Sequence, residues 1–331
     1  MKLDILIPMY NEDKMVVKPL LDSIALQQNV DFNDIGVIIC IDGGTSEIPD
    51  SFISQYPFFI EIHKEPHRGV SATRNACFDY SKADYVMFCD CDDMFYNACG
   101  LWIVFREMNI GFDSLVSSFI EESRNPEDPH NPETTNYTNH EMDSTFVHGK
   151  VHKRQYLIDK QIRWNDKLTI HEDSYFNILA QNMSEDVKYC PTPFYLWKWR
   201  DDSVCRHDPK YILKTYNNLI DSNDALVDEF LRRDRKDKAV FYTVSMVFDA
   251  YYLMNKPEWI DQENQEYRNK TEERFAEWYK KHKEMWENCP GNDKMMISNQ
   301  IRSRSIMEGM QMEAMTIDNW LNHIETLRKE A

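Results

Sequence analysis

The chain has 331 residues, with 38 Lys and Arg against 56 Asp and Glu, a formal charge of −18 at pH 7. Apolar residues make up 42% and charged residues 28%, enough for a core, and 13% aromatics exclude a disordered chain. The acidic surplus weighs against a general nucleic-acid binder, and only 9 glycines exclude collagen-like and Gly-rich architectures.

The first strand expected is Leu3 to Ile7, closed by Pro8. Asp4 and Pro8 interrupt any apolar run there, so no secretory signal is expected. No uncharged apolar stretch nears the roughly 18 residues of a membrane span. Val16, Leu20, Leu21 and Ile24 recur at helical spacing up to Ala25. Val37 to Ile41 is a β-branched run ended by Asp42-Gly43-Gly44. Phe58 to His63 is a third strand candidate. Ser71 to Tyr80 suits a helix, and Tyr85 to Cys89 is a fourth strand ending at Asp90. This alternation predicts an α/β fold with a mostly parallel sheet flanked by helices. Ligands in such sheets bind outside the carboxyl ends of the strands. Tyr10-Asn11-Glu12, Asp42 and Asp90 to Asp93 are therefore the residues to inspect.

Residues 124–144, rich in Pro, Asn and acid, lie between the apolar runs Leu115–Ile120 and Thr145–Val147 and read as a solvated hairpin loop. Beyond about residue 208 the pattern is helical. Tyr216, Leu219, Ile220, Leu226, Phe230 and Leu231 mark one helix, Phe241 to Met254 a buried one, and Ile317, Trp320, Leu321, Ile324 and Leu327 a last one. The charged stretch 258–273 is expected to cross the surface. A Met-rich tail (Met295, Met296, Met307, Met310, Met312, Met315) is expected to fill a core. Trp278 to Lys283 with Trp286 reads either as a helix packing its aromatics inward or as contact with an anionic acceptor. Two domains follow, 1–207 and 208–331. The 8 scattered cysteines contain no C-x-x-C and read as reduced thiols of a cytosolic protein.

Four clusters could carry chemistry. Asp90, Asp92 and Asp93 repel one another, and such a cluster is tolerated when water or a cation neutralises it. Oxygen ligands of this kind suit magnesium or manganese. A solvated acidic turn is the alternative, and the position at a strand's carboxyl end favours the site. His171-Glu172-Asp173 precedes an apolar helical run; it is either a helix cap or a carboxylate base at the mouth of a site. Lys64 to Asn75 contains His67, Arg68, Arg74 and Asn75, and Arg suits phosphate oxygens. Trp197 to His207 adds Arg200, Ser203, Arg206 and His207, which could clamp a diphosphate. Surface helix start and interdomain connection are the bland alternatives for these two.

In order along residues 1 to about 207, the motifs resemble family-2 glycosyltransferases. Pro8-Met9-Tyr10-Asn11-Glu12 is followed by Leu21, Ser23, Ile24 and Gln27. Asp42-Gly43-Gly44-Thr45-Ser46 ends the second strand, and Gly69 to Asn75 resembles the family's G-x-x-x-A-R-N helix start. Asp90-Cys91-Asp92-Asp93 stands for its D-S-D-D motif, with Cys91 in place of Ser. Gly149-Lys150 to Arg154, Glu172-Asp173, and Trp197 to Ser203 complete the set. The Q-x-x-R-W element of processive synthases is absent.

The resemblance implies a Rossmann-like GT-A fold with an α-helical C-terminal extension for acceptor binding or assembly. It implies an inverting hexosyltransferase moving a single sugar from a nucleotide-sugar, UDP-linked, to an acceptor hydroxyl on a surface glycan, a lipid-linked glycan or a precursor. Pro8, Tyr10, Asn11, Glu12, Asp42, Arg68, Arg74, Asp90, Cys91, Asp92, Arg200 and Ser203 would bind the donor. Asp92, Asp90 and His207 would hold manganese or magnesium. Asp173, with Glu172, would be catalytic. Two other readings stay open: the same chemistry on a hydroxylated nucleic-acid base, and a catalytically silent scaffold. The protein is expected to be cytoplasmic, with peripheral membrane contact and a homo-oligomer through the helical region both open.

Overall fold

The computed structural model describes residues 1–125, 132–137, 145–200, 210–307 and 316–327. The chain divides into two compact units, Met1–Ser203 and Val204–Ala331.

Among its described residues the first unit has nine strands: β1 Leu3–Met9, β2 Ile35–Asp42, β3 Phe59–Glu65, β4 Tyr85–Phe88, β5 Met94–Phe95, β6 Ser114–Ser123, β7 Glu133–Tyr137, β8 Lys150–Lys153 and β9 Val187–Trp197. Its helices are α1 Lys14–Ala25, α2 Asp50–Ile53, α3 Val70–Tyr80, α4 Gly100–Ile110, α5 Arg154–Asp159 and α6 Glu172–Asn182. The sheet order is β3-β2-β1-β4-β8-β6-β9-β5, with β7 beside β6. The parallel pattern expected from the sequence holds from β3 to β4. Beyond β4 the sheet is mixed: β8 runs antiparallel to β4 and β6, β9 parallel to β6, and β5 antiparallel to β9. Every residue of β1 and β2 is buried. Both faces of these strands are covered, which is why they read as continuous apolar runs.

The stretch 124–144, expected to be a loop joining two strands, contains a strand of its own: β7 pairs with β6 from Phe119↔Tyr137 to Ser123↔Glu133. The run Thr145–Val147 is not a strand. β8 starts later, after Gly149 turns at φ 63°.

Asp4 ties the turn between α3 and β4 to β1. Its Oδ2 accepts from Ser81 Oγ at 2.7 Å and from the amides of Lys82 and Ala83 at 3.1 Å each. Gly36 of β2 leaves the room this carboxylate needs, since a Cβ there would stand 2.2 Å from Asp4 Oδ1.

The second unit is helical: α7 Tyr211–Arg232, α8 Lys236–Met254, α9 Pro257–Ile260, α10 Gln265–Asn288, α11 Gly291–Met307 and α12 Ile317–Thr326. Tyr216, Ile220, Val247, Phe275, Trp278 and Trp320 pack in one core. Two expectations are corrected here and one is met. Residues 258–273 are not a surface crossing alone, because Trp259, Thr271 and Glu272 are buried. Trp278, Tyr279, His282 and Trp286 face inward, while Lys281 pairs with Asp224 and Asp228 and Lys283 with Glu287 and Glu325. Lys281 and Lys283 are thus engaged by carboxylates and the aromatics pack inward, as the first of the two readings expected. Met295 and Met296 are 59% and 60% exposed, with Ile297 filling the core instead. Met310, Met312 and Met315 lie outside the described residues, as does the side chain of Met307. Among the described residues no helix is long and apolar enough to cross a membrane.

The packing around Asp4 gives a test of the fold. Gly36→Ala should lower stability by about 1–3 kcal/mol, as overpacking of a fixed neighbour does. Urea unfolding monitored by tryptophan fluorescence would show it as a lower midpoint with an unchanged slope.

Candidate functional site

A cleft of about 290 Å³ opens at the carboxyl ends of β1, β2 and β4. Of the residues read from the sequence, Pro8, Tyr10, Glu12, Asp42, Asp90, Cys91, Asp92 and Arg200 line it. His67, Gly69 and Thr73 complete one wall. Ser203 and His207 lie outside the described residues.

The first wall is an aromatic pair on a carboxylate anchor. Tyr10 and His67 stack with ring centroids 4.4 Å apart and planes 20° from parallel. His67 Nδ1 lies 2.9 Å from Asp42 Oδ2. Asp42 also accepts from the amides of Arg68 at 2.7 Å and Gly69 at 2.9 Å. Gly69 is the N-cap of α3 at φ 92° and has no side chain to cap it, so Asp42 satisfies the helix start from the neighbouring strand. Burial raises the Asp42 pKa. The hydrogen bonds from Arg68, Gly69, Thr73 and His67 outweigh burial and hold it below the usual carboxylate range.

Two residues expected to bind donor also brace the turns at the strand ends. Asn11, at φ 62°, accepts from the Thr45 amide at 2.9 Å, and a Cβ on Gly44 would stand 2.2 Å from its Oδ1. It locks the turns after β1 and β2 together. Arg68 contributes its amide to Asp42, but its guanidinium is 57% exposed and 3.9 Å from Glu65. Glu12 accepts from the Tyr10 amide, which fixes the turn after β1.

The acidic cluster at the end of β4 assigns each carboxylate to a different partner. Asp90 pairs with Arg74 at 2.8 Å, and Asp92 with Arg200 at 2.9 Å. Asp93 is buried; it accepts from Tyr195 Oη at 2.6 Å and from the Lys198 amide at 3.0 Å, and so fastens the end of β9. Burial and the charge of Asp90 push the Asp92 carboxyl up, against the pull of Arg200. Cys91 is buried, and burial, with Glu12 and Asp92 nearby, keeps its thiol protonated.

Arg74, expected at the donor, is a buried bridge: its side chain is 5% exposed and joins Asp90 to Glu172, the latter at 2.9 Å. Its guanidinium lies 4.4 Å from the ring centroid of Trp164. Trp164 is stacked on Phe176 at 4.2 Å, and Asn75 grips its backbone through Nδ2 to the carbonyl at 2.9 Å and from the amide to Oδ1 at 3.0 Å. Sequence reading missed Trp164. The signal was the Asn following Arg74 in the motif, whose partner is 89 residues away.

Glu172 and Asp173 open α6, where His171 enters at φ 61°. Glu172 is committed to Arg74. Asp173 Oδ1 accepts from its own Ser174 amide at 2.7 Å. Burial first, then the charge of Glu172, pushes its carboxyl up to about 7, against the pull of Arg74. One of the two acids is therefore a strut and the other is poised to exchange a proton near neutrality.

Cation ligands can be judged on this geometry. Asp90, Asp93 and His148 bring ligand atoms within 4.8 Å of one another, but Asp93 and His148 are buried and Asp93 is occupied by Tyr195. Asp90 and Asp92 line the cleft and repel each other, and their hard oxygens fit magnesium or manganese.

Comparison with known proteins agrees with the motifs. Residues 4–159 match glycosyl transferase family 2. The chain is 22% identical over 255 residues to the uncharacterized glycosyltransferase EpsJ of Bacillus subtilis (strain 168), covering 72% of this chain and 69% of that one. The crystal structure of S. aureus TarS 1-349 matches 100% of this chain and 92% of its own, with a TM-score of 0.64 at 15% identity. The same protein in complex with UDP-GlcNAc matches 92% of each chain, with a TM-score of 0.62 at 15% identity. The resemblance read from the motifs stands, and the chain has a GT-A-like fold followed by a helical C-terminal region.

Removing Arg74 tests the bridge. Arg74→Met leaves Glu172, 12% exposed, without its counter-ion and Asp90 with less. The variant should lose about 3 kcal/mol of stability at pH 7. An unfolding midpoint equal to wild type would show that the bridge does not hold α6 against β4.

Proposed function

We propose that the chain is an inverting glycosyltransferase that moves one sugar from a UDP-sugar to an acceptor hydroxyl with a divalent cation. One observation carries the reading. A cleft at the strand ends presents two carboxylates suited to a cation, and a third, Asp173, with its pKa about 7, sits on the helix tied to one of them, Asp90, through Arg74. The match to a fold solved with UDP and with UDP-GlcNAc supports the donor class.

In this reading the uracil stacks on the Tyr10–His67 wall. Asp42 holds that wall in place through its bonds with His67 and with the amides of Arg68 and Gly69. Asp90 and Asp92 would hold manganese or magnesium, which when bound offsets charge on the leaving diphosphate. Arg200 is placed to share that work. Asp173 takes the proton of the acceptor hydroxyl as its oxygen attacks the anomeric carbon, while the bond to the diphosphate breaks on the opposite side. A single base on the attacking side gives inversion, with positive charge on the ring in the transition state. The acceptor is proposed to be a surface glycan or its precursor, and the helical unit to serve acceptor binding or assembly. Cys40, Cys77, Cys89, Cys91, Cys190 and Cys289 are free and buried, which supports a reducing, cytoplasmic setting.

Two outcomes test the base. Asp173→Asn should lower transfer by about 10²–10⁴-fold while UDP affinity stays within about twofold. Transfer at the wild-type rate would remove Asp173 from this role. In the wild type, the base works only when ionised. Below pH 7, kcat should therefore rise about tenfold per pH unit and then level off above it. A profile already flat at pH 5 would contradict the assignment.

A further inference from the structure

The two arginines at the acidic cluster differ in how firmly they are held. Arg74 is 5% exposed, holds two carboxylates and lies against Trp164. It cannot leave Asp90 without also stranding Glu172. Arg200 and Asp92 form a pair in which the side chains are 30% and 33% exposed, three residues beyond the end of β9 and on the lining of the cleft. One counter-ion is built into the fold and the other stands at the surface of the site.

We propose that Arg200 is an exchangeable counter-ion: it neutralises Asp92 in the donor-free protein and yields that carboxylate to the cation that enters with the nucleotide diphosphate. This rests on the glycosyltransferase reading above and adds an order to it. Two carboxylates lining one cleft need positive charge at all times, and Arg200 supplies it to Asp92 when no metal does. A divalent cation arriving alone must displace the guanidinium, which gains nothing in return. When the cation arrives with a diphosphate, Arg200 finds phosphate oxygens that match its planar fork, so the exchange becomes favourable. Metal and nucleotide therefore bind as mutually dependent ligands, and Arg200 is the residue that couples them. Asp90, held by Arg74, keeps its orientation throughout.

The test is Mn²⁺ binding to the full chain, read from the electron paramagnetic resonance signal of the free aqueous ion, with and without UDP. Wild type should bind Mn²⁺ weakly alone and more tightly with UDP. Arg200→Gln should bind Mn²⁺ alone about fivefold more tightly, the value of a part-exposed ion pair. Its gain on adding UDP should shrink. Equal or weaker binding of Mn²⁺ alone by Arg200→Gln, with far-ultraviolet circular dichroism unchanged, overturns the exchange. Asp92→Asn separates this from failure of the metal site itself. If Asp92→Asn binds Mn²⁺ with UDP as well as wild type does, the cation is not on Asp92, and that reading falls together with the exchange.

Discussion

The site depends on one buried cation. Arg74 projects from α3 and is shared between Asp90 at the end of β4 and Glu172 at the start of α6. Burial alone would disfavour its charge; Asp90 and Glu172 more than offset this and keep it protonated. A buried guanidinium is tolerated only when its charge is paired, so each carboxylate is obligatory and their separation is fixed by the two arms of the fork between them. Asp173 is the next residue after Glu172. Its place relative to the strand-end carboxylates is thus set by a salt bridge rather than by loop geometry. Trp164, pinned by Asn75, closes the other side of the guanidinium.

Around this bridge the same residue type is tuned in opposite directions. Asp42 is buried, yet backbone amides at the start of α3 stabilise its charge. Asp92 and Asp173 are pushed the other way, because burial and a neighbouring carboxylate act on each with less compensation. The first is thereby a permanent acceptor that anchors His67. The second invites a cation, and the third can hold or release a proton near pH 7. Three aspartates of one fold differ in this way because their partners differ.

Much of this was legible in the sequence, and the misses have a common cause. β1, β2 and β4 announce themselves as apolar runs because both of their faces are covered, and the polar residues at their ends mark the cleft by the strand-end rule. The antiparallel half of the sheet was not legible, since β5 and β8 are two and four residues long and carry no periodicity. Asp92 and Asp173 stand out by motif. The bridge made by Arg74 was not legible, because its partner Glu172 is 98 residues away and no local pattern reports a pairing at that distance. The bracing by Asn11 and Arg68 was hidden in the same way: their neighbours in space are Thr45 and the Asp42 carboxylate. In the helical unit, a charged run such as 258–273 can still pack, because charged heads reach ion pairs while Trp259 and Thr271 are buried.

The central claim is that the fold holds Asp173 as a carboxyl poised near neutrality beside a committed Glu172. The direct measurement is the side-chain carboxyl ¹³C chemical shift of Asp173 as a function of pH, assigned by difference against Asp173→Asn. The account predicts a titration midpoint at about 7. A midpoint near 4, the value of an ordinary aspartate, would contradict it.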